Sequence, residues 1–364
     1  MASTDASGGR RRRRGRRLLS LLGLAGLGFG LARLMTTRSS APPRQLPAPS
    51  RPPRPNVRPA ARSEARQGPG PEVRTQPESD ATPQVDATPQ VSWIPGPDGP
   101  LAVTEAGSGD HAVVCVHGLG GRLRQWAPAL SCLDQRFNGR LVTFDLPGHG
   151  RSEGGSASTI EALASAIGAV LDGLNVRRAV LVAHSFGALP AVHYAAMHPG
   201  RIRGLLLVDP NGDQTRIDTA ERERILSAVA EDTHGELEWT WRQLLAGYPQ
   251  ELADRVLEDL RATAPETLHA CLRAAFDYGP LRALDQLEIP VHLALSPLND
   301  MAYSLHRLRP RLPRTVLRGG HWLMLDRADE IAALLEELAE LSFATPRPTL
   351  RPIEPAPDAS TPGD

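Results

Sequence analysis

Ten residues, Val180 to Leu189, constrain the fold more tightly than any other stretch of the chain. Val180-Leu181-Val182-Ala183 is a short β-branched and aliphatic run that reads as a buried strand. His184-Ser185-Phe186-Gly187 follows, and Ala188-Leu189-Pro190-Ala191-Val192 then reads as a helix start with a proline tolerated in its first turn. A chain that passes from buried strand to helix in so few residues has to turn sharply. The small residues Ala183 and Gly187 let the two backbones pass close to each other. Ser185 stands at the apex of that turn, lifted out of the sheet edge, as a candidate nucleophile.

The surrounding pattern is that of an α/β protein. Ser92 to Ala106 reads as a hairpin turning at Pro97-Asp98-Gly99. Strands are expected at His111 to Val116, Leu141 to Phe144, Val180 to Ala183, Leu205 to Val208, Val291 to Leu295 and Arg314 to Leu317. A helix over Ser158 to Leu174 aligns Ile160, Leu163, Ile167, Val170 and Leu171 on one face, with Ser158 and Glu161 as a capping box. This alternation implies a mostly parallel sheet flanked by helices on both faces. From Asn211 to about Asp285 it breaks: four or five helices stand between two sheet strands, an inserted helical cap over about 211–285. Its Trp239, Trp241, Tyr248, Phe276 and Tyr278 are read mainly as packing, with one or two lining a substrate pocket.

Composition separates that folded domain, 92–343, from both ends. Arg10 to Arg17 is a dense arginine cluster, and Leu18 to Leu34 is apolar with several glycines. Residues 1–38 therefore read as a twin-arginine-like export signal or as an uncleaved anchor with its arginines inside, so the N-terminal segment is expected at a membrane and the protein at the bacterial cell envelope. The bland reading is a solvated basic tail. Residues 39–91, rich in Pro and Arg with a tandem Asp-Ala-Thr-Pro-Gln-Val repeat at 80–91, and residues 344–364 read as a disordered linker and tail. All 41 Lys-plus-Arg residues are arginine, yet the formal net charge is zero, which argues against a nucleic-acid partner. The histidines and cysteines show no metal-ligand spacing, and no cofactor is expected.

Four motifs carry a resemblance. Val116-His117-Gly118-Leu119-Gly120-Gly121 is similar to an HG-x-x-G oxyanion turn. Asp145-Leu146-Pro147-Gly148-His149-Gly150-Arg151-Ser152 resembles the loop after the next strand. Ala183-His184-Ser185-Phe186-Gly187 is the elbow, and Gly319-Gly320-His321 follows the last strand. Together they resemble the α/β-hydrolase fold superfamily, in its cap-bearing, esterase- or lipase-like serine hydrolases, across Ser92 to Phe343. The resemblance implies Ser185 as nucleophile, His321 as its base, and the backbone N–H groups of Leu119 and Phe186 as oxyanion hole. It also implies a triad acid past the strand that follows the cap, where the chain reads Leu295-Ser296-Pro297-Leu298-Asn299-Asp300. Asp300 is the first choice; Asp209, at the end of the strand before the cap, is the second, and Asn299 the third.

The bland readings stand beside these. His193, His234 and His269 read as surface or helix histidines, and His117 and His184 as packing and loop hydrogen-bonding groups. Gly148-His149-Gly150 reads as a turn, and Arg122 and Arg124 as solvated or as partners of a substrate carboxylate. The function expected is a serine hydrolase cleaving an ester or related acyl bond of a small to medium hydrophobic small-molecule substrate. The alternatives are a catalytically silent binding protein of the same fold, supported by the irregular acid region, and a carbon–carbon hydrolase or perhydrolase. Substrate identity and oligomeric state are not legible.

Overall fold

The structure is a computed structural model and describes residues 90–134, 137–155 and 159–344. The arginine cluster, the apolar run, nearly all of the Pro-rich stretch and the C-terminal tail lie outside the described residues. Among the described residues, no helix is long and apolar enough to cross a membrane.

Eight strands form one sheet: β1 (Ser92–Gly96), β2 (Gly99–Gly107), β3 (Ala112–Val116), β4 (Arg140–Phe144), β5 (Ala179–His184), β6 (Ile202–Val208), β7 (Val291–Leu295) and β8 (Arg314–Val316). Their spatial order is β1-β2-β4-β3-β5-β6-β7-β8. The β1–β2 and β2–β4 pairs are antiparallel, and all the other pairs are parallel. Every residue of β3 and β5 is buried, because helices cover both faces of these central strands and no polar face is needed. Cys115 in β3 behaves as a small buried hydrophobe, and burial pushes its thiol pKa up.

The covering helices are α1 (Ala127–Asp134), α2 (Ile160–Gly173) and α3 (Ala188–Met197), with α11 (Ala328–Ala344) closing the chain after the short α9 (Leu305–Leu308) and α10 (Leu323–Asp326). Because β4 lies on one side of β3 and β5 on the other, right-handed crossovers send α1 and α2 to opposite faces. Accordingly α11 packs with α1, and α3 packs with α2. Helix α2 begins one residue later than the expected capping box. Thr159 is its N-cap and accepts from Ala162 N at 3.2 Å, while Ser158 lies outside the described residues.

Between β6 and β7 the chain forms α4 (Thr219–Glu231), α5 (Thr233–Leu244), α6 (Gln250–Arg261), α7 (Pro265–Asp277) and α8 (Leu281–Asp285). The last of these packs on α3 and belongs to the sheet-covering layer. The other four form the insert that faces the carboxyl ends of the strands. The strand order reverses at β3 and β5, so a crevice opens between their carboxyl ends. Both the oxyanion-like turn and the Ser185 turn leave the sheet there.

Candidate active site

The Ser185 turn is tight because three backbones meet in it. Ser185 has φ +51°, a left-handed conformation that costs a residue with a side chain roughly 1–2 kcal/mol. A Cβ on Gly187 would lie 2.3 Å from the carbonyl oxygen of His117, and one on Gly118 would lie 2.9 Å from His184 Nδ1. Glycine at both positions lets the turn after β3 interlock with the turn after β5. Asn211 N also donates to the Ser185 carbonyl at 3.1 Å. Strain at a side chain locked in by its surroundings is typical of functional positions.

His321 reaches this serine from the loop after β8. Its Nε2 lies 2.9 Å from Ser185 Oγ, and its Nδ1 lies 2.6 Å from Asp209 Oδ2. Asp209 directly follows β6 and has φ +44°, a conformation that Asp tolerates better than most residues. Ser296 N donates to Asp209 Oδ1 at 2.7 Å, and Ser296 Oγ donates to Oδ2 at 3.0 Å. The buried carboxylate thus has three donors around it, counting the imidazole, and both of its oxygens are hydrogen-bonded.

The structure corrects the first choice of acid. Asp300 accepts a two-pronged hydrogen bond from Arg307, at 2.6 and 2.7 Å, and lies 3.1 Å from His306 Nε2, with its side chain 54% exposed. Arg307, foremost, holds its pKa below the usual carboxylate value. Its carboxylate serves the surface and does not meet His321. Asn299, the third choice, donates from Nδ2 to the Pro210 carbonyl at 2.9 Å and so braces the turn that carries Asp209. The loop after β7 supplies donors to the Asp209 carboxylate where the resemblance implied the acid itself.

His117, His149 and His184 are buried packing and loop hydrogen-bonding groups. The Leu146 amide donates to His117 Nε2 at 2.9 Å, so the His117 proton sits on Nδ1 and goes to the Gly118 carbonyl at 2.8 Å. Burial lowers the His117 pKa to about 4 and that of His149 to about 3, keeping both neutral. His184 donates from Nε2 to the His321 carbonyl at 3.0 Å. Asp145 fastens the two loops together, accepting from Leu123 N at 2.7 Å and Arg151 N at 2.9 Å. Gly150, at φ +57°, is required beside it, since a Cβ there would fall 2.1 Å from Asp145 Oδ2.

Arg122 and Arg124 lie beside acidic residues of the insert, with 43% of the Arg124 side chain still in solvent. Arg124 Nε donates to Asp259 Oδ1 at 2.9 Å and its Nη2 to Glu258 Oε2 at 2.7 Å, while Arg122 Nε lies 3.5 Å from Asp259. Gln125 Nε2 donates to the other oxygen of Asp259 at 3.0 Å. These bonds pin α6 of the insert to the chain that follows the oxyanion-like turn.

The space over Ser185 is lined by Leu119, Phe186, Trp241, Leu244, Leu272 and Ala275, with Asn211 and His321 at its polar side. It measures about 10 Å³, the room of one water. Leu119 and Phe186 therefore border the same space as Ser185. Asn211 was not singled out in the sequence, yet its Oδ1 lies 3.3 Å from Ser185 Oγ. The signal available was its place directly after an Asp-Pro pair at the end of a strand beside the elbow.

Comparison with known proteins agrees with this geometry. Residues 113–334 match the model of a family described as the alpha/beta hydrolase family. "Lipase LipV" of Mycobacterium tuberculosis is 37% identical over 103 residues, which is 28% of this chain and 38% of that protein. The dihydrolipoyllysine-residue acetyltransferase component of the acetoin cleaving system of Pseudomonas putida is 34% identical over 29% of this chain and 28% of its own length. The chain thus spans only about a third of the length of these relatives. A pimeloyl-[acyl-carrier protein] methyl ester esterase of Neisseria meningitidis is 26% identical over 59% of this chain and 75% of its own. Among solved structures, an enol-lactonase from Burkholderia xenovorans superposes with TM-score 0.60 at 20% identity, covering 68% of this chain and 99% of its own. An esterase from Exiguobacterium antarcticum gives 0.62 at 17% identity, covering 69% and 100%. At those identities the superpositions speak for the fold alone, and the family match spans well over half of the chain. The chain belongs to the alpha/beta hydrolase family.

Proposed function

We propose that this protein is a serine hydrolase that cleaves an ester or related acyl bond of a small to medium hydrophobic substrate through an acyl-enzyme. The observation that carries this reading is the unbroken chain Ser185 Oγ, His321, Asp209, at 2.9 and 2.6 Å. A serine hydroxyl is a weak nucleophile at neutral pH, so His321 Nε2 takes its proton as the oxygen attacks the acyl carbon. For Nε2 to be free to accept, the ring proton must sit on Nδ1. Asp209 Oδ2 holds it there and stabilises the imidazolium formed during attack. The imidazolium then gives its proton to the leaving alcohol, and water repeats the sequence to release the acid.

Charge that develops on the carbonyl oxygen falls toward the Leu119 and Phe186 N–H groups and the amino end of α3. Removing one such donor typically costs about 3 kcal/mol of barrier. The apolar walls over Ser185 suit a hydrophobic acyl group, and the insert must shift to admit one into so small a space. The irregular acid region, which alone favoured a catalytically silent binding protein, loses that weight with Asp209 beside His321. The test is hydrolysis of a series of nitrophenyl esters and lactones by the wild type and Ser185→Ala. Turnover lost in Ser185→Ala supports the reading; a folded wild type inert on every member, or a variant as active as wild type, rejects it.

A further inference from the structure

At His321 and its two neighbours the loop is tethered at three backbone groups, one each on Gly320, His321 and Trp322. Asp326, in the short helix α10 (Leu323–Asp326), accepts the N–H of Gly320 at 2.9 Å. His184, at the elbow, donates to the carbonyl of His321 at 3.0 Å. The third tether comes from the insert: Tyr248 Oη, in the turn between α5 and α6, accepts the N–H of Trp322 at 2.9 Å.

The contact with Tyr248 is built in as well as bonded. A Cβ on Gly320 would lie 2.3 Å from Tyr248 Cε2, so only glycine allows the phenol to rest against this backbone. The Trp322 ring meets Tyr248 and Trp241 edge-on, with centroids 6.4 and 6.2 Å away, and meets the His321 ring at 5.0 Å. An aromatic wedge thus joins the insert to the imidazole. On its other side the insert is pinned by Asp259 to Arg124 and Gln125.

We propose that Tyr248 is a positioning residue through which the seating of the helical insert sets the place of His321 relative to Ser185. The proposal rests on the hydrolase reading above and deepens it. An acyl substrate has to displace the insert to enter a space of about 10 Å³. While the insert is raised, Trp322 N–H has lost its acceptor and the His321 loop one of its three tethers. When the insert settles over the substrate, the phenol returns and the base is fixed for proton transfer. Catalysis is thereby tied to a closed site.

Tyr248→Phe keeps the ring and removes only the hydroxyl, and with it the acceptor of Trp322 N–H and a hydrogen-bond partner of the Asp326 carboxylate. The wild type, Tyr248→Phe and, as a control in the same insert, Tyr278→Phe are compared by the rate at which a fluorophosphonate modifies Ser185, and by kcat and KM on nitrophenyl acetate. Misplacing a catalytic group by about 1 Å can cost on the order of 100-fold. The expected result is a 10- to 100-fold fall (on the order of that cost) in modification rate and kcat for Tyr248→Phe, with KM and the melting transition unchanged and Tyr278→Phe like wild type. Tyr248→Phe reacting at the wild-type rate overturns the proposal. So does a variant that has lost its melting transition, or whose KM rises while kcat holds, since either marks a structural role alone. A wild type that is itself unmodified removes the hydrolase reading, and the proposal with it.

Discussion

Exchanging the two aspartates in turn separates the acid identified by geometry from the one the sequence favoured. In Asp209→Asn the volume is kept but the charge is lost from a site that is 2% exposed. The carboxylate now accepts from His321 Nδ1 at 2.6 Å, from Ser296 N at 2.7 Å and from Ser296 Oγ at 3.0 Å. An amide can keep its oxygen toward only one side. With its oxygen toward Ser296 N, its NH2 opposes Nδ1–H, and the imidazole moves its proton to Nε2. Nε2–H can no longer accept from Ser185, and no charge remains to stabilise the imidazolium. Loss of the orienting acid in a serine triad costs about 10⁴-fold in kcat, or about 5–6 kcal/mol of barrier.

Asp300→Asn instead breaks an exposed pair with Arg307 that water already screens. It leaves the His321 contacts untouched, so activity is expected within about twofold of wild type. Initial rates on a short nitrophenyl ester, with circular dichroism to establish folding, decide the matter. An Asp300→Asn chain that loses activity while Asp209→Asn keeps it would refute the assignment.

Other outcomes follow from the same contacts. Ser185 holds φ +51°, so Ser185→Gly is expected to abolish turnover yet raise stability by about 1 kcal/mol, read as a higher urea midpoint; a lower midpoint would show that the turn is unstrained. His117 is held neutral by burial, with a pKa near 4 against 6.5 in the unfolded chain. Below about pH 6.5 the unfolded state gains a proton that the folded state refuses, so stability declines from there toward about pH 4, by up to ~3 kcal/mol for this residue; His149 acts with the same sign. Urea midpoints taken across that range should be level above it and fall within it, and a midpoint that rises on acidification would contradict the neutral assignment. Trp241→Ala removes an indole from the wall over Ser185 and should raise kcat/KM for a nitrophenyl hexanoate relative to the acetate by on the order of tenfold; an unchanged ratio would place the acyl group elsewhere.

The fold was legible because its signals are local. Continuous apolar runs at Ala112–Val116 and Ala179–Ala183 between turn signals read as strands covered on both faces, and Gly187 announces a close approach of backbones that the structure shows. Ser185 and His321 carried motifs of their own. The acid did not, because its identity depends on which strand end lies nearest the imidazole once β6 and β7 are side by side. Asp209 had a local cue, an Asp-Pro at the exit of a strand, where a left-handed residue can turn the carboxylate inward. Asp300 was drawn to the surface by Arg307, seven residues on, a pairing that spacing alone did not single out. The partners of Arg124 and of Trp322 N–H lie 135 and 74 residues away in the insert, beyond the reach of any local pattern.

The most direct measurement is the mass spectrum of peptides from native protein treated with a fluorophosphonate. Phosphonylation requires an activated hydroxyl and donors for the developing oxyanion at one place. One adduct per chain, on the peptide containing Ser185 and absent after unfolding in urea before treatment, is the expected result. A folded chain left unmodified, or modified at another residue, would contradict the assignment of Ser185, His321 and Asp209 as a working triad.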